Sequence, residues 1–132
     1  MNWKYVKQLK SQNYIEDFEH KINYTFPASF KECVKEYNGG KPDYRSFNTD
    51  KSENREIKSF LSFNPEDRES IWKVYDWNID LTNNSFIPFA IDNFGNLICF
   101  GKNTDNIVFI NHETADTEYV AKDFSIFLNS LY

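Results

Sequence analysis

The residues able to carry covalent or acid–base chemistry are few: Cys33, Cys99, His20 and His112, the last followed by Glu113. A cysteine beside a histidine becomes a nucleophile when the imidazole takes the thiol proton. The spacing here does not favour that. Cys33 lies in a helical pattern over Phe30–Tyr37 and Cys99 in a hydrophobic strand, and neither has a base beside it in sequence. Both read as buried free thiols, and no spacing supports a disulfide between them. His20, between Glu19 and Lys21, reads as a solvated residue on the charged side of a helix. His112 ends a strand, where capping or turning the chain is its expected role. Four scattered His and Cys residues lack the ligand spacing of a metal site. No Gly-rich phosphate loop or nucleophile elbow is present. A hydrolase built on Cys33 or His112 is the weakest reading. The expectation is no enzyme, no catalytic residue, no cofactor and no metal.

Side chains suited to binding are better represented. A helix opened by Asn64-Pro65, with Asn64 as cap and Pro65 at the first helical position, would carry Ile71, Val74, Tyr75 and Ile79 on its inner arc. If it continues to Asp80, then Lys73, Trp77 and Asp80 face outward. An exposed Trp77 beside Asp76 and Asp80 has the composition of an interface anchor. The alternative is a helix ending near Asp76, with Trp77 tucked under the following loop. Asp43 and Tyr44, just after Gly39-Gly40, and Asp92, in a polar turn, are further candidates. Each has a structural or merely solvated reading beside the binding one. Asp92 in particular can close its own Asx-turn.

These side chains need a scaffold, and the pattern supplies one. A first helical segment near the N-terminus is expected to lead into a second, in which Ile15, Phe18 and Ile22 share a face and Glu16, Asp17 and Glu19 take the others. Phe26-Pro27 fixes an extended turn. A helix over Ala28–Tyr37 follows, with Phe30, Val34 and Tyr37 as its stripe, and Asn38-Gly39-Gly40 stops it. Lys41–Asn54 reads as loop, with a short strand near Tyr44–Phe47, and Glu56–Phe63 as a strand. Ile87–Phe100 is two apolar runs about an Asp92–Asn96 turn, a β-hairpin in which Gly95 accepts positive φ. Strands at Asn106–Asn111 and Glu118–Val120 and a final helix with Phe124, Phe127, Leu128 and Leu131 inward complete the chain. Helices first and then consecutive strands predict an α+β domain: a central antiparallel sheet flanked by N-terminal helices, a middle helix and a C-terminal helix.

At 132 residues the chain is one domain, 1–132. Aromatic residues make up 18% of it, thirteen of them Phe, and each can bury on the order of 150–250 Å², enough for a core without staples. The net charge of −5 argues against direct nucleic-acid binding, which needs a basic footprint, and permits a basic partner. Trp3, Tyr5, Val6 and Leu9 are interrupted by Lys4, Lys7 and Lys10, so no export signal is expected. No run is long enough to span a membrane. The natural compartment is the cytoplasm.

Two ordered blocks resemble a known family. The first is Ile15-Glu16, Phe18-Glu19, Phe26-Pro27, Phe30-Lys31 and Tyr37-Asn38-Gly39-Gly40. The second is Ile87-Pro88-Phe89-Ala90, Phe94-Gly95-Asn96-Leu97-Ile98-Cys99-Phe100, Val108-Phe109, His112-Glu113, Asp123-Phe124 and Phe127-Leu128. In this order and spacing, over about residues 11–131, the chain resembles the SUKH superfamily, the Smi/Knr-type domain. Phe26 stands where such proteins usually have Leu, and Asn96 where many carry Asp. The resemblance implies an α+β binding protein. Its bacterial branch consists of immunity proteins that bind and block a cognate polymorphic toxin, often a nuclease; the fungal branch lies within a cell-wall regulator. The implied partner is therefore a toxin protein, bound by a monomer or weak homodimer. The other reading is a regulatory or scaffolding interaction module without a toxin.

Overall fold

The chain does not begin with a helix. Trp3–Lys4 form a short strand, β1, antiparallel to β2 (Lys41–Pro42). The reason is aromatic packing: Trp3 stacks on Tyr37 at 4.9 Å between centroids and meets Phe60 edge-on at 5.1 Å. A short isolated helix has no burial to match that. The structure, a computed structural model, describes residues 1–132.

Helix α1 (Asn13–Ile22) buries Ile15, Phe18 and Ile22 and ends at Asn23 in the left-handed conformation. Glu19, expected on an outer face, is also buried. Its carboxylate accepts the Phe26 N–H at 2.7 Å and pairs with Lys31 at 3.2 Å, which ties α1 to the next helix. Helix α2 (Ala28–Tyr37) has the expected bounds, and Gly39 at φ +66 supplies the left-handed stop.

The expected strand over Glu56–Phe63 is broken in two. β3 (Ser46–Phe47) pairs with β4 (Arg55–Glu56), and β5 (Ser59–Phe60) joins the main sheet. The switch lies at Ile57 and Lys58, whose N–H groups donate to Arg45 and to Ile91 respectively. Asn64 does not cap a helix. It is buried, accepts the Lys10 N–H at 2.9 Å and donates to the Gln8 carbonyl at 2.9 Å, pinning the N-terminal segment. Helix α3 (Ile71–Trp77) starts later, with Ser70 as its cap. A break at Asn78 separates it from α4 (Ile79–Thr82), so Ile79 leaves the inner arc and is exposed.

The five-stranded antiparallel sheet has the order β5-β6-β7-β8-β9, with β6 (Phe86–Ile91), β7 (Leu97–Gly101), β8 (Ile107–Ile110) and β9 (Thr117–Ala121). Each strand pairs with the next in sequence. Helix α5 (Phe124–Ser130), capped by Asp123, packs against α2 and β9. Phe30, Phe89, Phe100 and Phe124 form the centre of the core, with Phe89 and Phe100 at 4.7 Å. Val108, whose expected side was inward, is half-buried at its margin. The outer margins of the sheet are covered. Phe60 of β5 donates to the Gly40 carbonyl, and Tyr119 of β9 exchanges bonds with Asp50. No helix is long and apolar enough to cross a membrane. The domain is a mixed α+β fold with a central antiparallel sheet.

Candidate functional site

Trp77 ends α3 and is 72% exposed. The helix stops there, yet the ring does not tuck under the loop. It lines a groove of about 710 Å³ with Tyr5, itself 71% exposed. The charged residues in that groove are Lys7, Lys41, Lys58 and Arg68 against Asp67 and Glu69. Glu69 is paired with Lys58 and also accepts from the Ser59 hydroxyl. Burial opposes ionisation of Asp67, but hydrogen bonds from Ser62 and Asn64, with Lys10 and Lys7 nearby, hold its carboxyl below the usual range.

The two acids flanking Trp77 are not part of this groove. Asp76 is exposed and turns to α1, where it pairs with Lys21 at 3.1 Å. Asp80 lies in the first turn of α4, exposed and unpaired. Asp43 follows β2 and uses one oxygen to accept the Asn2 and Tyr44 N–H groups, at 3.0 and 2.9 Å. Tyr44 is exposed beside it.

Asp92 is 6% exposed and its oxygens are occupied within the turn. Oδ1 accepts the Phe94 and Asn96 N–H groups at 2.9 and 2.8 Å, and Oδ2 accepts the Asn96 side-chain amide. Asn96 Oδ1 in turn accepts the His112 N–H and sits 2.9 Å from His112 Nδ1. An acceptor oxygen there places the imidazole proton on Nδ1. The result is a closed turn that holds Phe94 at its tip, 78% exposed, beside β4 and the Ser52–Asn54 segment before it.

Burial, with Glu36 adding a little, pushes the Cys33 thiol up to about 12, and burial alone raises Cys99. At neutral pH both are thiols, and the thiolate is the nucleophilic form. Both are free and buried. His20 is exposed. No three His, Cys, Asp or Glu side chains gather to hold a metal ion.

Sequence reasoning did not reach Tyr5, Phe94 and the lysine-lined groove. Tyr5 alternates with Trp3 around Lys4, which is a strand signal. Phe94 beside Gly95 is an aromatic residue at a turn tip, where nothing covers it.

A family model described as SMI1-KNR4 cell-wall, of SUKH type, matches residues 12–128. No curated protein matches the chain.

Proposed function

Since this chain belongs to the SMI1-KNR4 family of the SUKH superfamily, we propose that it is an immunity protein. It binds a cognate toxin, a nuclease in our reading, and blocks its active site or substrate path. The observation that carries the binding reading is the exposure of Trp77 at the end of α3, bordering a groove of about 710 Å³ that can admit a partner's side chain. Large exposed aromatics of this kind are the usual centres of protein interfaces. The net charge of −5 supports a basic partner such as a nuclease, because opposite net charges speed encounter. No step needs a catalytic group, and the raised thiols of Cys33 and Cys99 supply none at neutral pH.

The test is genetic and biochemical. Any toxin-like gene found beside this one is expressed with and without the chain. Rescue of growth, together with a stable complex of the purified pair, supports immunity. Absence of both, with capture of a different cellular protein, favours a regulatory interaction module, the second reading consistent with the cell-wall description of the family.

A further inference from the structure

We infer that the groove between Tyr5 and Trp77 receives an acidic segment of the partner protein, an extended stretch bearing Asp or Glu next to an apolar side chain. The inference rests on the protein-binding part of the reading above and does not require that the partner be a toxin.

The first support is charge. Four cations and two carboxylates line the groove, in a chain whose net charge is −5. Both carboxylates are engaged by neighbours, Glu69 by Lys58 and Asp67 by Ser62 and Asn64. Lys7, Lys41 and Arg68 take part in no ion pair. With Lys7 shared towards Asp67, Lys41 and Arg68 remain free. Four cations against two carboxylates leave a local field opposite in sign to the global one, a patch that selects an anionic group.

The second is conformational. Tyr5 has φ +56, a left-handed conformation that a bulky residue adopts only under backbone strain. No burial offsets that strain, because Tyr5 is 71% exposed. The chain instead keeps the ring at the groove, with Lys7 Nζ donating to the Tyr5 carbonyl at 3.2 Å. Strain retained for an exposed aromatic points to recognition rather than to folding.

The third is shape. Two exposed rings and about 710 Å³ of open space suit one apolar side chain with its flanking backbone. Stacking rings beside cations also suit a single nucleic-acid strand. A polyphosphate, however, extends beyond the groove into the negative field of the rest of the chain, whereas a short acidic segment does not.

The full chain is used to select short random peptides displayed on phage. Enriched peptides should be rich in Asp and Glu with one aromatic or aliphatic residue. Lys41→Glu with Arg68→Glu, and separately Trp77→Ala, should each weaken the best peptide by roughly tenfold or more. Tyr5→Gly should weaken it as well while raising thermal stability, since it removes the ring and the strain together. Enrichment of basic or uncharged peptides, or undiminished affinity in the charge-reversed variant, overturns the inference. So does tighter binding of a thymidine oligomer than of any peptide. A dimer abolished by the charge reversal would place a second copy in the groove and overturn it too. In the growth assay, equal protection by wild type and the charge-reversed variant removes this groove alone. A wild type that fails to protect removes the immunity reading and leaves the peptide result standing.

Discussion

Asn96 and Asp92 clasp each other across the hairpin turn: the Asn96 amide donates to Asp92 Oδ2 at 2.9 Å, and Asp92 Oδ1 accepts the Asn96 N–H at 2.8 Å. A carboxylate at position 96 would have no hydrogen to give and would face a second negative charge. The amide here turns a site of repulsion into a closed network that reaches His112.

Asp92→Ala leaves the N–H groups of Phe94 and Asn96 without their acceptor. It should destabilise the fold by about 1–3 kcal/mol, read as a lower urea midpoint at unchanged slope. Phe94→Ala, which removes only an exposed ring, should leave the midpoint in place. Equal stability of Asp92→Ala and wild type would mean that the turn is held by other bonds.

Phe30→Ala and Phe124→Ala each open the core where helices meet the sheet, and each should cost about 3–5 kcal/mol. The melting temperature measures it. No change in either variant would show that the two helices do not present these faces inward.

Glu118 gives a pH-dependent contribution. The Arg55 guanidinium bonds both of its oxygens at 2.9–3.0 Å and the Thr49 hydroxyl adds a third bond. Together they outweigh burial and hold its carboxyl below the ordinary value of 4.5. A depressed folded-state value means stability that is whole above about the ordinary value and fades as pH falls through the depressed one. Denaturation midpoints followed from neutral pH downward should therefore fall less steeply in Glu118→Gln than in wild type. Parallel curves would deny Glu118 this role.

Trp77→Ala should weaken the partner complex by about 2 kcal/mol or more, measured by calorimetry. Charge reversal at Asp76 and Asp80, both exposed, should mainly slow association, and more so at low salt, where screening is weak. Unchanged affinity in the triple variant would move the binding face to the Asp43–Tyr44 loop or to the hairpin tip.

Cys33→Ala, Cys99→Ala and His112→Ala should protect cells as wild type does, provided each variant is folded by circular dichroism. Loss of protection in a folded variant would bring back a catalytic reading.

The sequence-based reading held for α2, the β6–β7 hairpin and the inward Phe124 and Phe127 of α5. Each carries its own period and a local signal at one end: Gly39 after α2, the Asp92–Asn96 turn, and the Asp123 cap before α5. Leu128 is only half-buried, and Leu131 is buried but lies past the end of that helix. It failed where a distant residue decides the local structure. Trp3 is a strand residue because Tyr37 and Phe60 lie waiting for it. Asn64 caps no helix because Lys10 and Gln8 claim its side chain. Neither partner is visible from within a short window. The same reason hid the groove. Tyr5, Lys41, Arg68 and Trp77 are far apart in sequence, and only the β1–β2 pairing and the loop before α3 gather them. Trp77 was legible only as a choice between two arrangements, and the structure combines them: the helix ends at Trp77, yet the side chain stays exposed.

The covered margins of the sheet decide how a partner can be read. Gly40 occupies the outer N–H of Phe60, and at the far margin Asp50 and the Lys51 ammonium occupy Tyr119 and the Thr117 carbonyl. A ribbon of main-chain groups open to pairing would accept almost any extended chain and would template fibrils. With both borders shut, indiscriminate backbone zippering is closed off, so discrimination between one partner and the next falls to the side chains that the loops hold out. Divergence of those few positions can then change the partner while the sheet beneath stays as it is.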